Sequence, residues 1–134
     1  MSEDQPPKSL ESTYLRLRGD VSIEALAVDD SFWPRLMRGD LGNFHNEYLV
    51  TVHESIADWK HWEMHPMGDE IVCLLAGEAL MILDLAAGEQ RTRLVSAGQF
   101  VLVPKGTWHT AKISAPCRML FITAGEGTQH RPLA

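Results

Sequence analysis

Between residues 47 and 124, apolar and polar positions alternate in short stretches that are rich in β-branched and aromatic residues. Eight stretches of four to eight residues follow one another: YLVTVHE, HWEMH, EIVCLLA, ALMILDLA, RTRLV, FVLVP, WHTAKI and RMLFITA. Turn-forming sequences such as PMGD, AAGEQ, SAGQ and PKG separate many of them. Regular short strands without intervening helices are typical of an antiparallel sandwich or barrel. The pattern therefore predicts an all-β fold.

The residues before this region predict one more strand and one helix. The segment TYLRLRG, residues 13–19, alternates and predicts an edge strand. The segment DDSFWPRLMRG, residues 29–39, predicts a short helix that Ser31 caps and that Gly39 ends in the left-handed conformation. Two apolar pairs lie four residues apart on this helix: Phe32 with Leu36, and Trp33 with Met37. Such an apolar face predicts a helix that packs on the outside of the sheet.

Length and composition indicate one globular domain. The chain has 134 residues, of which 45% are hydrophobic and 22% are charged. We assign residues 1–12, which are polar and contain proline, to a flexible N-terminal tail, and residues 13–134 to the domain. Cys73 and Cys117 lack the spacing of a metal or redox motif, and no secretory hydrophobic segment opens the chain. We therefore expect a cytoplasmic protein with reduced thiols.

The charge distribution limits the classes of partner. The net charge is −6 and the chain contains no basic cluster. This argues against binding to nucleic acid, because lysine and arginine supply most of that affinity. The apolar runs fall well short of the roughly 18 residues that a membrane span requires. We expect a small-molecule ligand or substrate as the partner.

The stretch HWEMH carries ionisable side chains on one face of a predicted strand. Because strand side chains alternate, His61, Glu63 and His65 project from one face, and Trp62 and Met64 project from the other. The stretch is followed by a predicted turn and then by an apolar run that is typical of a buried strand. Ionisable groups are costly to bury next to such a run unless they have partners.

A metal ion would explain this arrangement. Glu70 begins the returning strand, and His109 follows the tight turn PKGT near the start of another strand. Taken singly, His65 and His109 are more often structural histidines, and each glutamate is more often a solvated or turn carboxylate. Imidazole and carboxylate groups that converge inside a barrel are sensible ligands for one divalent ion. The joint spacing therefore predicts a metal site formed by Glu63, His65, Glu70 and His109.

These residues match two known motifs. Glu63-x-His65-x4-Glu70-x6-Gly77 resembles the first motif of the cupin superfamily, G-x5-H-x-H-x3–4-E-x6-G. The later residues resemble the second motif, G-x5-P-x-G-x2-H-x3-N, through Gly98-x5-Pro104-x-Gly106-x2-His109. The chain departs from the motifs at three positions: Ala57 replaces the first glycine, Glu63 replaces the first histidine, and Ile113 replaces the final asparagine.

The resemblance implies a small, single-domain jelly-roll β-barrel that forms a homodimer and binds a divalent metal. Carried over by position, the implied ligands are His65, Glu70 and His109, with Glu63 where the family has a histidine. With a carboxylate at this position, the two carboxylates of the ligand set balance the charge of a divalent ion. This set favours Fe or Mn, with Ni or Zn possible. Alternatively, Glu63 contacts a bound molecule and the other three residues match the composition of open non-haem Fe(II) oxygenase sites. A site without metal is the third alternative.

Other residues are weaker candidates for a binding pocket. His53 can contact a bound molecule, and either His53 or Glu63 is a candidate to transfer a proton. Surface or loop positions are nevertheless favoured for His53 and for four residues of the sequences NFHNEY and GTQHRP: His45, Glu47, His130 and Arg131. Packing roles are favoured for Trp62 and Trp108, which flank the predicted ligands, and Cys73 is out of phase with Glu70. Apolar pocket walls are expected from Val72, Leu74 and Phe100.

Two functions are compatible with these features. The first is a metal-dependent enzyme acting on a small organic molecule, with dioxygenase chemistry favoured over isomerisation or decarboxylation. The second is a non-catalytic module that binds a metabolite or a metal ion, because a fold alone does not fix a function. The sequence does not name the substrate.

Overall fold

A computed structural model describes residues 5–134, so residues 1–4 of the predicted tail lie outside the described part of the chain. Within this part, strands and one short helix alternate with turns. The first elements are β1 (Thr13–Leu17), β2 (Ile23–Ala27), α1 (Phe32–Met37), β3 (Tyr48–Ser55), β4 (His61–Met64) and β5 (Glu70–Ala76). The later elements are β6 (Ala79–Leu85), β7 (Gly88–Leu94), β8 (Phe100–Val103), β9 (Trp108–Lys112), β10 (Cys117–Thr123) and β11 (Gln129–Pro132).

The strands form two antiparallel sheets. The first sheet has six strands in the order β2-β1-β3-β10-β5-β8, and the second has five in the order β11-β4-β9-β6-β7. The prediction of an all-β jelly-roll fold with one short N-terminal helix is confirmed. No helix within residues 5–134 has the length and apolar character needed to cross a membrane.

Strand alternation builds the core and also directs one carboxylate into it. On β5, Val72 and Leu74 are fully buried, as are Met81 on β6 and Met119 on β10. Glu70 lies two residues before Val72, so its side chain points to the same inner face and is only 2% exposed. The fold therefore buries an ionisable group at the edge of its apolar core, which makes the contacts of Glu70 decisive for stability.

Two strands differ from the sequence prediction. β1 is not an edge strand, because β2 pairs with it from Thr13↔Ala27 to Leu17↔Ile23 and forms the edge instead. The prediction missed β2, whose sequence IEALA consists largely of helix-forming residues. It also placed β11 in a loop, although this segment pairs with β4. In both cases cross-strand hydrogen bonding overrides a weak local preference.

Helix α1 is capped differently from the prediction. The Ser31 side chain makes no capping bond, so that prediction is wrong; its hydroxyl donates instead to Asp29 Oδ1 at 2.6 Å. Gly39 has φ +83° directly after the last helical turn, as predicted. Phe32 is fully buried, whereas Met37 is 78% exposed. The pair Phe32 and Leu36 therefore packs into the core, whereas the pair Trp33 and Met37 does not.

Candidate metal centre

Three neighbouring strands bring together the four residues that the motif spacing singled out. Glu63 lies on β4 directly opposite His109 on β9, and His65 follows the end of β4. Glu70 enters from the first residue of β5, in the other sheet. One ligand atom from each residue lies within 4.8 Å of the ligand atoms of the others. This group could hold a metal ion, and its members come from both sheets.

The closest approaches within the group are between imidazole nitrogens and carboxylate oxygens. His65 Nε2 lies 3.0 Å from Glu63 Oε1 and 3.2 Å from Glu70 Oε2, and His109 Nε2 lies 3.0 Å from Glu70 Oε1. These atoms are close but not aligned for hydrogen bonding, so Nε2 of both histidines and Oε1 of Glu70 have no hydrogen-bond partner within residues 5–134. Buried polar atoms in native proteins normally have partners. Three unsatisfied atoms that face one another are what a metal site without its ion would leave.

The other nitrogen of each imidazole ring is engaged. His109 Nδ1 lies 3.1 Å from the backbone oxygen of Thr107, which can only accept a hydrogen bond. His65 Nδ1 lies 2.8 Å from Thr128 Oγ1, and that hydroxyl donates its own hydrogen to the Gly125 oxygen at 2.9 Å. Both Nδ1 atoms must therefore donate, which directs each Nε2 towards the shared centre. Metal-binding histidines are oriented in this way.

Electrostatic effects in the metal-free protein favour charged groups. Burial alone would lower the pKa of His65, but the carboxylates of Glu63 and Glu70 outweigh burial and raise that pKa to about 9. Burial would raise the pKa of Glu70, but His109 and His65 outweigh it and lower that pKa to about 2. The pKa of Glu63 is also lowered, because His65 outweighs the effect of burial. Thr123 donates to Glu70 Oε2 at 2.6 Å and fixes that carboxylate.

A cavity of about 660 Å³ opens beside this group, with Glu63 on its wall. The predicted walls are wrong: Phe100 is 56% exposed, and Val72 and Leu74 are buried in the core. Strand alternation could not place them correctly, because residues from both sheets and from the segment that carries α1 line the cavity. Apolar residues from α1, its following loop and the strands form the walls instead: Trp33, Leu36, Met37, Phe44, Leu49, Trp59 and Phe121.

Two of the weaker candidates line this cavity. His53 contacts the rings of Trp33 and Phe121, with centroid distances of 5.4 and 5.5 Å. His130 lies on the wall with its Nε2 atom 3.6 Å from Glu63 Oε2. Surface or loop positions were favoured for both residues, but β3 carries His53 and β11 carries His130 to the cavity wall.

The remaining candidates lie outside the cavity wall. His45 is exposed and pairs with Glu126 at 2.9 Å, while Glu47 accepts two hydrogen bonds from Arg16 at 2.9 and 2.7 Å. The guanidinium of Arg131 packs over two rings on the outer face of the second sheet: Trp62 and Trp108. These two tryptophans pack against a side chain, as predicted.

Comparisons with known proteins identify the family. Residues 49–123, more than half of the chain, match the family described as the Cupin domain. The chain therefore belongs to the cupin family. No match was found among curated proteins.

Three solved structures with a similar fold are distant in sequence. An oxalate oxidase has a TM-score of 0.52 and 17% identity over 60% of this chain and 44% of its own. Oxalate decarboxylase from Bacillus subtilis, which has Mn(II) centres, has a TM-score of 0.51 and 17% identity over 65% and 23%. Hydroquinone 1,2-dioxygenase from Sphingomonas sp. TTNP3 has a TM-score of 0.49 and 19% identity over 57% and 58%. The matched region spans less than half of the oxalate oxidase. At these identities the likeness establishes the fold alone.

Proposed function

We propose that this protein is a metal-dependent enzyme that acts on a small organic molecule. The observation that supports this most directly is the convergence of three buried ligand atoms that have no hydrogen-bond partner in the described part of the chain: His65 Nε2, His109 Nε2 and Glu70 Oε1. They lie beside an open cavity large enough for a small ligand. A purely structural cluster would be expected to satisfy its own polar atoms.

The residues present fit a divalent ion. His65 and His109 offer nitrogen, and Glu70 and Glu63 offer oxygen, within the 4.8 Å spread of the group. Two carboxylates favour Fe or Mn, with Ni or Zn as alternatives, because harder ligands suit harder ions. A bound ion would act as a Lewis acid and, if it were Fe or Mn, would supply redox chemistry.

The side chains of the protein have separate tasks in this proposal. The hydroxyl of Thr123 and the partners of the two Nδ1 atoms hold the ligands in place. Glu63 lies on the cavity wall, where it can accept or return a proton of a bound molecule, and His53 is the second candidate. The apolar walls keep water away from this exchange.

Oxygenation is the reaction class that we favour. If Glu63 serves the substrate instead of the ion, the remaining ligands are two imidazoles and one carboxylate, a set typical of non-haem Fe(II) oxygenases. The similar folds include enzymes named as an oxidase and a decarboxylase, so decarboxylation is the next class to test, and isomerisation follows. Turnover assays with candidate substrates distinguish these reaction classes.

Metal content tests the site without reference to activity. We expect protein purified without added metal to contain up to about one ion per chain by elemental analysis. The variant His109→Ala should lose most of this metal, because it removes a fully buried ligand. His45→Ala is the matched control, since that histidine is exposed and is not a member of the group. Equal metal content in both variants would contradict the proposed site.

Turnover separates the enzyme from the non-catalytic module. The Fe(II)-loaded protein should consume oxygen with at least one member of a library of phenols, thiols and diketones, and His109→Ala should not. Loading with Mn or Ni extends the test to other metals. Absence of turnover with every metal, together with a co-purified ligand that stays chemically unchanged, would favour the binding module.

A further inference from the structure

The cavity wall carries three carboxylates and, apart from its histidines, no side chain that bears a positive charge among residues 5–134. Three carboxylates line it: Glu63, Glu70 and Glu126. Among residues 5–134, neither lysine nor arginine lies on its wall. Arg16 packs over the Phe44 ring at 4.1 Å, but Glu47 engages its guanidinium with oxygen distances of 2.7 and 2.9 Å.

A bound divalent ion would not reverse this balance. Glu63 and Glu70 together would neutralise its two positive charges, and Glu126, which lies 2.9 Å from His45, would add no positive charge. A carboxylate ligand would lose its hydrogen bonds to water on entering the cavity. No arginine on the described wall could replace them with a pair of hydrogen bonds from its guanidinium group. The neutral ion centre would attract an anion less strongly than a centre with three imidazoles. The cavity therefore disfavours anionic ligands with or without its ion.

The apolar part of the wall contains a continuous row of aromatic rings. Trp33 contacts His53 at 5.4 Å, His53 contacts Phe121 at 5.5 Å, and Phe121 contacts Trp59 at 6.0 Å between ring centroids. Trp59 then reaches His109 at 6.2 Å, so the row runs from α1 to the ligand group. Burial lowers the pKa of His53, although nearby Glu63 opposes this, so its ring is neutral near pH 7. We call Trp33, His53, Phe121 and Trp59 the aromatic row.

From the absence of lysine and arginine on the described wall and from the aromatic row, we infer that the cavity binds an uncharged aromatic molecule and discriminates against carboxylates such as oxalate. Rings of this kind supply large contact areas and edge-to-face contacts to an aromatic ligand. The inference rests on the proposed function, since it names the substrate class of the same site. It separates this chain from the oxalate enzymes that share its fold.

Benzyl alcohol and benzoate test the inference, because they have the same carbon skeleton and differ in charge. Ligand-observed NMR or calorimetry should give a dissociation constant for benzoate at least about tenfold larger than that for benzyl alcohol. The same order should hold for metal-free and Mn²⁺-loaded protein. Equal or tighter binding of benzoate overturns the inference, and so does binding of neither compound up to its solubility limit.

Two tryptophan variants locate the binding event. Trp33→Ala should weaken benzyl alcohol binding by between about two- and tenfold, because it removes the outer end of the aromatic row. Trp62→Ala is the control, since that ring packs on the outer face beside Arg131. An unchanged dissociation constant in Trp33→Ala also overturns the inference. Metal analysis keeps the two ideas apart: charge discrimination without bound metal would reject the proposed function and retain this inference.

Discussion

At the scale of single residues, the candidate metal centre is a competition between a metal ion and a proton. The raised pKa of His65, about 9, means that its ring carries two hydrogens near pH 7 in the metal-free protein. One hydrogen points from Nδ1 to Thr128, and the other lies on Nε2, which is 3.0 and 3.2 Å from carboxylate oxygens of Glu63 and Glu70 but not aligned for a hydrogen bond with either. A metal ion needs that Nε2 lone pair, so binding must expel the proton.

This competition gives a pH-dependent prediction. Since the folded pKa of His65 lies above its usual 6.5, apparent metal affinity should rise about tenfold per pH unit from pH 7 to about pH 9 and then level off. Metal binding at pH 7 should release about one proton. Calorimetry in two buffers of different ionisation enthalpy measures this number.

A variant that lacks one of the two carboxylates tests whether they cause the raised pKa of His65. Glu63→Gln should lower the pKa of His65, because Glu63 is one of the two carboxylates that raise it. Fewer protons should then be released when metal binds near pH 7. An observed enthalpy that is independent of the buffer in the unmodified protein would show that His65 is already neutral and would contradict the proposed competition.

The residues of the candidate metal centre could be predicted to different degrees. His65, Glu70 and His109 stand at motif spacing, and strand alternation places Glu63 and His65 on one face. The threonines around them were missed. Alternation on β10 puts Thr123 in phase with buried Met119 and Phe121, so a signal for this residue was present. Thr128 lies after a turn, and nothing in the sequence pattern brings it to His65.

At the scale of elements, strands with both neighbours in place were the most predictable. β3, β5 and β10 lie inside the first sheet, and most of their buried residues are apolar. β2 and β11 lie at sheet edges, need only one partner and carry no strong alternation of their own. The cavity wall was the least predictable part, because it depends on where a connection folds over the first sheet. The spacing of hydrophobic residues along the sequence predicts strands and helices, but it cannot specify where a connection folds.

The turn between β5 and β6 shows how closely two elements approach. Gly77 has φ +80°, and an added Cβ would overlap the Pro116 carbonyl oxygen and lie 2.8 Å from Cys117 Cα. Backbone atoms cannot move aside as a flexible side chain can. Gly39 has almost the same φ, +83°, but no described atom beyond its chain neighbours lies within 4 Å of its added Cβ.

These two glycines make a matched pair of variants. Gly39→Ala should lower the free energy of unfolding by about 1 kcal/mol, the cost of a left-handed alanine. Gly77→Ala should lower the free energy of unfolding by about 3 kcal/mol or more, because the added Cβ would cause the same backbone strain and would also clash with Pro116 and Cys117. Urea titration followed by circular dichroism measures both values. Equal losses would show that the turn can move away from Pro116.

At the scale of the whole molecule, one apolar sheet edge has no further strand beside it among residues 5–134. β8 ends the six-stranded sheet, and its outward residues Phe100 and Leu102 are 56% and 59% exposed. Their partners on β5, Cys73 and Ile71, are only half-buried. An open edge strand with apolar side chains invites pairing with another chain. The homodimer implied by the family resemblance would cover this edge.

We therefore expect light scattering to give twice the mass of one chain, with β8 in the shared interface. Leu102→Glu should shift the mass towards a single chain, because two-fold symmetry would bring the added carboxylates of both copies into the same interface. Ile56→Glu is the control, since Ile56 is 80% exposed and lies outside β8. A single-chain mass for the unmodified protein at every concentration, or an unaltered dimer in Leu102→Glu, would contradict this prediction. The cavity lies on the other face of the first sheet, so metal content should not change when the dimer dissociates.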